Sequence, residues 1–438
     1  MNRKRWCRPI SSARPASARQ FCSALFLRSP SSGFRSDVVH LTTMSTRQTV
    51  AINPLLLAWA RAESGFDTDR IARRMQVKTE RVEAWEQGQR QPTMRQVEEL
   101  ARFLHRPLSI FFLPKPPQLA PLAAEYRRLP GLQPGHESPE LRLALRQMLT
   151  RRDNALNLMG ELGEITADFA LRAHLNESPA EVGNRLRAAL RITIDEQLGW
   201  PNEWRAWNAW RAAVENVDAL VFQFSKVALS EVRGLALLHT VLPVIGINSK
   251  EIPEAKSYTL LHELVHLMLA TEKEEAPALY EQRSGKEWAQ VERFAEIAAS
   301  HALIPEVALK AEAGVVGHIE WNIDATRRLA RKFRVTPLAM ATRLRESHFM
   351  TWAQYQAWRE RWDEYVKTLP SRKGGFATPV AKAISQNGRP FTQLVLEALS
   401  ANRITTVDAS RYLGLKFEHF EKLQTALWGG PLGLPPDE

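Results

Sequence analysis

From Asn53 onward the apolar positions recur with a helical period. NPLLLAWARAESG puts Pro54 in a first turn, sets apolar residues on one face and stops at Gly65, which predicts a first helix. FDTDRIARRMQV offers Asp67 as a cap with Ile71 and Met75 four residues apart, and KTERVEAWEQG predicts a third helix ending at Gly88. TMRQVEELARFLH starts a fourth at Thr93, after Pro92, with Val97, Leu100, Ala101 and Leu104 turned inward. The prolines of RPLSIFFLPKPP then mark a boundary. Residues 118 to about 215 read as mainly helical, most clearly in ELRLALRQMLTRRDNALNLM and AEVGNRLRAALRI. Trp200, Trp204, Trp207 and Trp210 recur at helical spacing and read as core or interface.

The period changes next. DALVFQF, VRGLALLH and PVIGIN are strand-like and closely connected, which predicts a small antiparallel sheet. A helix apolar almost all round, SYTLLHELVHLML, follows directly. Further helices run through VERFAEIAASHALIP and IDATRRLARKFRVTPLAMATRLRES, and a last helical block spans PFTQLVLEALSANRITTVDASRYLGLKFEHFEKLQ, where Leu413, Leu415 and Phe417 are expected to pack. No internal sequence repeat stands out. The predicted fold is mainly α with a small antiparallel sheet (α+β). Its parts are a tail at 1–44, a helical module at 49–117, a helical connector at 118–215, an α+β unit at 216–346 and a helical C-terminal region at 347–438.

Composition narrows the chemistry. At 438 residues the chain can form two or three units that each bury a core, and 44% apolar with 24% charged residues is ordinary for a globular protein. No stretch approaches the roughly 18 apolar residues of a membrane span, so no membrane partner is expected, and the cytoplasm is the expected location. The formal charge of +11 is concentrated in 1–44, which holds eight Lys/Arg against the single acid Asp37. That segment resembles a transit peptide, but Met44 opens MSTRQTVAINP just before the first patterned helix, so upstream or disordered sequence is the better reading. Cys7 and Cys22 also fall there, so any metal site in the body must use His and carboxylates.

In a helix, His262 and His266 of HELVH lie one turn apart on one face, where both imidazoles can reach a single cation at about 2.0–2.1 Å. Glu263, rotated by about 100° from His262, suits a general base acting on water rather than a third ligand. A catalytic zinc needs one more protein ligand, and the next helix offers Glu292 and Glu296 four residues apart. One could bind metal while the other orients a ligand histidine.

The segments AINPLLLAWARAESG, EAWEQGQRQPTMRQVEELARFLHRPLSIFFLPKPP, VRGLALLHTVLPVIGINSK, SYTLLHELVHLML and ALIPEVAL together resemble the ImmA/IrrE family of metallo-endopeptidases, in the long form with an N-terminal XRE-type helix-turn-helix. The resemblance runs from about Val50 onward. It implies an XRE-like module, a zincin-like peptidase unit, zinc as cofactor, Glu292 as third ligand beside His262 and His266, and Glu263 as the catalytic base. Glu296 falls at the family's Asn/Asp position, from which it would orient a ligand histidine. Ala298 replaces a bulky Phe, so looser packing behind Glu292 is expected. An added oxyanion donor from His239, Tyr258, Tyr280 or His301 is compatible with the sequence, and either VRGLALLH or PVIGIN could bind substrate as an edge strand.

The resemblance also implies a regulatory protein such as a repressor as substrate, with a role in transcription or stress regulation or a toxin–antitoxin arrangement. In the N-terminal module KTERVEAWEQG would enter a major groove of double-stranded DNA, led by Lys78, Thr79 and Arg81. Residues 49–113 hold ten Lys/Arg against eight Asp/Glu, which predicts weak nonspecific affinity. A protein-interaction or homodimer module is the competing reading. The whole-chain alternative is a DNA-binding regulator or antitoxin-like protein with a vestigial peptidase centre.

Overall fold

The computed structural model describes residues 48–117, 137–269, 285–312, 320–369, 375 and 377–428. The 1–44 tail and Tyr280 lie outside them. The chain divides into two compact units at Pro116 and Pro117.

In the first unit, α1 (Pro54–Ser64), α2 (Thr68–Met75), α3 (Thr79–Glu86) and α4 (Met94–Phe103) close around Leu57, Ile71, Val82, Trp85, Val97, Leu100 and Phe111. Their ends follow from local chemistry. Asn53 and Asp67 accept backbone N–H groups at the starts of α1 and α2, Thr93 and Gln96 form a capping box, and Gly65 closes α1 in the left-handed region. Arg61 grips both carboxylate oxygens of Glu86 at 2.7 and 3.1 Å, tying α1 to α3.

The second unit starts with α5 (Pro139–Glu161), α6 (Pro179–Leu190), α7 (Ile194–Gly199) and α8 (Glu203–Glu215). The strands β1 (Leu220–Phe224), β2 (Gly234–Leu237) and β3 (Val244–Asn248) form one sheet in the order β1-β3-β2. The expected antiparallel sheet is therefore corrected to a mixed one: β2 runs antiparallel to β3, but β1 runs parallel to it. The chain between Phe224 and Val244 is long enough to cross the end of the sheet and return, so β3 inserts between its two predecessors. All three strands are buried along their whole length, so apolar alternation could not reveal their direction. This order also removes PVIGIN as an edge strand, because β3 is central.

Then come α9 (Pro253–Leu269), α10 (Gly285–Leu303), α11 (Glu306–Ala311), α12 (Ile323–Phe333), α13 (Pro337–Glu346), α14 (Trp352–Thr368), α15 (Pro379–Asn387), α16 (Arg389–Ser400), α17 (Thr406–Leu413) and α18 (Phe420–Trp428). The metal-type helix α9 packs on α8, α10 and the sheet, with Leu260, Leu261, Leu264, Val265, Leu267 and Met268 all buried. Of the tryptophan stripe, Trp200, Trp207 and Trp210 are core, whereas Trp204 is exposed and lies 5.4 Å from Lys256 Nζ. α6 and α10 approach closely: a methyl on Gly183 of α6 would stand 2.4 Å from the Ala298 carbonyl oxygen.

One spacing recurs. Ile71, Met75, Gln76, Val77, Val82 and Trp85 are matched by Leu329, Phe333, Arg334, Val335, Met340 and Arg343, and by Ala409, Leu413, Gly414, Leu415, Phe420 and Leu423. In each case the sixth position of the run, Gln76, Arg334 or Gly414, is left-handed and separates two short helical segments. The three runs share a burial pattern rather than residue identity, which hides the recurrence from the sequence. Leu413 and Leu415 pack as expected, but Phe417 is 60% exposed. It falls between two buried positions of this spacing and faces outward. Among the described residues no helix is long and apolar enough to cross a membrane.

Candidate metal centre

The one-turn spacing on α9 brings the His262 and His266 Nε2 atoms to 3.1 Å of each other, with their rings near perpendicular. From α10, Glu292 places Oε2 3.3 Å from His262 Nε2 and Oε1 3.2 Å from His266 Nε2. Among the described residues these three side chains form the group able to hold a metal ion.

The donor set fits zinc. Three ligands at tetrahedral angles and 2.0–2.1 Å from a common ion are separated by about 3.3 Å, close to the edges found here. Without a cation, two ring nitrogens and a carboxylate would face one another with too few protons to satisfy them all. Among the described residues the other ring nitrogen of His262, Nδ1, has no hydrogen-bond partner, and the ring stacks beside Tyr258 at 6.2 Å.

The electrostatics are those of a coupled buried group. Burial disfavours the His262 imidazolium, but the hydrogen bond to Glu292 and the nearby carboxylates of Glu263, Glu292 and Glu296 outweigh it and raise its pKa. Burial would raise the Glu292 carboxyl, yet hydrogen bonds from both histidines and their charge hold it far below the usual carboxylate range. The pair therefore favours ionised carboxylate beside a protonated imidazole, and a cation bound there would take the place of that proton.

Glu263 is buried on the adjacent face of α9, and the backbone of β2 at Gly234 lies against its side chain. Glu296 is exposed. Its carboxylate acts on His262 and Tyr258 through charge, and no hydrogen bond to either ligand histidine joins it among the described contacts.

The candidate oxyanion donors fall apart spatially. Tyr258 lies beside His262, where burial and the carboxylates of Glu296, Glu346 and Glu292 raise its hydroxyl pKa and keep it a donor. His301 is engaged by the Arg343 guanidinium at 2.9 and 3.1 Å. His239 lines a small hollow with Phe169, Arg172, Thr240, Pro243 and Leu267, away from the ligand atoms in sequence and element. Sequence reasoning missed Gly234, whose only signal was an isolated glycine inside a strand pattern.

In the first unit, Lys78 and Arg81 are exposed at the start of α3. Lys78 occupies the N-cap without a side-chain bond, while Thr79 donates its hydroxyl to Asp69 Oδ1 at 2.8 Å. Glu80 and Glu83 are exposed on the same helix.

Residues 217–345 match the family model described as IrrE N-terminal-like domain, Peptidase_M78, a metallopeptidase family. The matched span contains His262, Glu263, His266 and Glu292 and supports the ImmA/IrrE resemblance for that part of the chain. No curated protein matches the chain significantly.

Proposed function

We propose that the chain is a zinc-dependent endopeptidase that hydrolyses a regulatory protein, with its N-terminal unit acting as a helix-turn-helix module. The observation that carries this is the triangle of His262, His266 and Glu292 with Glu263 next to it on α9. Zinc bound there supplies a Lewis acid that polarises a scissile carbonyl and makes water easier to deprotonate.

The chain's own residues supply the rest. His262 and His266 turn Nε2, and Glu292 its ionised carboxylate, toward one point, so uptake of a cation there would displace the protons the histidines share with Glu292. Glu263 accepts the proton of the attacking water and delivers it to the leaving amine nitrogen, so it ends the cycle ionised. Among the described candidates Tyr258 is the one beside a ligand histidine, and its hydroxyl would meet the developing oxyanion. Strand β2 is an edge of the sheet, and its first residue touches Glu263, which supports pairing of an extended substrate along β2.

Metal analysis of the purified chain tests the reading, with one zinc per chain expected. Glu263→Gln should retain that zinc and abolish cleavage, and as a trap it should capture the substrate protein. Wild-type protein that takes up no stoichiometric zinc overturns the peptidase reading. A regulator role with a vestigial centre would instead give metal-independent binding to DNA.

A further inference from the structure

Gly234 opens β2 facing α9, and its φ lies outside the left-handed region, so any residue could adopt its backbone conformation. Space is what singles it out. A methyl there would stand 2.3 Å from Thr259 Cγ2 and 3.0 Å from both Cγ and Oε1 of Glu263. The strand cannot retreat easily, because Gly234 pairs with Ile247 and the Arg233 carbonyl accepts the Asn248 N–H at 2.8 Å. Asn248 is itself fully buried and donates its side-chain amide to the Val227 and Val232 carbonyls.

Thr259 is also fixed. Its hydroxyl donates to Glu251 Oε2 at 2.8 Å, and Glu251 Oε1 meets Arg233 Nη1 at 3.1 Å. The Glu251 side chain is almost wholly buried, so turning Thr259 away would strand a buried carboxylate oxygen. A methyl at position 234 would therefore press on Thr259 most closely and on the Glu263 side chain as well.

We propose that Gly234 is a positioning residue whose missing side chain forms the seat that holds the Glu263 carboxylate beside the metal triad. The Arg233–Glu251–Thr259 chain is the rigid wall of that seat. The proposal rests on the metallopeptidase reading and adds to it a residue acting through Glu263. Rate depends steeply on where a reacting group is held, so one methyl pressing on the Glu263 side chain reaches the chemistry without touching a ligand.

The test uses the full chain loaded with cobalt(II) and acetohydroxamate as probe, followed by visible absorption. A hydroxamate chelates the metal and hydrogen-bonds to the neighbouring carboxylate, so its affinity reads the position of Glu263 without any substrate. Gly234→Ala is expected to keep one cobalt per chain and weaken acetohydroxamate by about ten- to a hundredfold, as for loss of a charge-assisted hydrogen bond. In the Glu263→Gln background the same change should cost less than about twofold, because both act through one carboxylate. Independent, multiplying losses would overturn the proposal. If Gly234→Ala folds poorly, Gly234→Ala/Thr259→Ser removes the closest contact. That variant should recover thermal stability but not acetohydroxamate affinity, and recovery of both would show that Gly234 serves packing alone. Wild-type protein that takes up no cobalt sinks the peptidase reading itself, and this role with it.

Discussion

Glu292 Oε1 and His266 Nε2 stand 3.2 Å apart, although they come from separate helices. The contact makes a ligand set out of a helical histidine pair, and it distinguishes Glu292 from Glu296 one turn on. Glu292→Ala should lower zinc affinity by at least about a hundredfold in a chelator competition, beyond the 10–100-fold typical of groups that only orient a ligand. Glu296→Gln, which removes a distant charge from an exposed side chain, should change it by less than about threefold. Equal losses from the two would mean that the carboxylates share the ligand role.

His301 and Arg343 give the folded state an acid-sensitive element away from the metal. Burial first, and then the Arg343 guanidinium, push the His301 imidazole down to about 4 against the opposing charge of Glu306. The unfolded ring takes its proton near 6.5, so this stabilisation is full above that pH and is lost as pH falls toward about 4. His301→Gln should therefore flatten the decline in urea-unfolding stability between about pH 7 and pH 5, by on the order of 2 kcal/mol. Part of the slope should remain, because burial and Arg152 also lower His239 to about 4. An unchanged slope would show that His301 protonates equally in both states.

The helical parts and the HELVH site were legible because helix period and metal-ligand spacing are both local. Two histidines four apart converge by helix geometry alone, and Asn53, Asp67 and Thr93 announce their helices by side-chain chemistry. Glu292 needed the family motif to be preferred over Glu296, since spacing alone offered both. Strand direction was not legible: Leu220–Phe224 and Val244–Asn248 are buried on both faces, and their parallel pairing depends on where the intervening chain crosses. The seat of Glu263 was hidden for the same reason, because Gly234 and Glu263 meet only after β2 docks on α9. Phe417 misled because a hydrophobic residue in a helical pattern was read as core, whereas the turn at Gly414 shifts the phase that follows it.

The first unit should bind duplex DNA weakly and through few phosphates. Lys78 and Arg81 are exposed at the start of α3, but Glu80 and Glu83 share that surface, and Thr79 is held by Asp69. Lys78→Ala and Arg81→Ala should each reduce the slope of log affinity against log salt by about 1. Glu80→Gln/Glu83→Gln should strengthen binding by removing repulsion from the phosphates. Fluorescence anisotropy with a promoter fragment at several salt concentrations reads both effects, and a flat response in all variants would favour the protein-interaction reading of this unit.

Arg211 and Glu215 tie the C-terminal helices to the sheet beneath the metal helix. Arg211 Nε donates to Glu215 Oε1 at 2.9 Å and Nη1 to the Ser385 carbonyl at 2.8 Å. Gln223 of β1 donates to the same carbonyl and accepts from Lys256 of α9 at 2.9 Å, so α8, β1 and α9 are linked to the end of α15. Burial drives the Glu215 carboxyl up to about 7, with Arg211 and then Arg389 opposing. A carboxyl raised in the folded state is stabilising when protonated, so its contribution is full below about 4.5 and lost as pH rises through about 7. Arg211→Met leaves that carboxyl buried without its partner, a change that typically costs about 3–5 kcal/mol. The loss should be larger at about pH 8 than at about pH 5, where protonation relieves the unpaired charge. Arg211→Met/Glu215→Leu should recover most of the stability lost at the higher pH, because it removes the charge rather than the pairing. Urea unfolding at the two pH values measures this, and a pH-independent loss would mean that Arg211 acts through the Ser385 carbonyl rather than through Glu215.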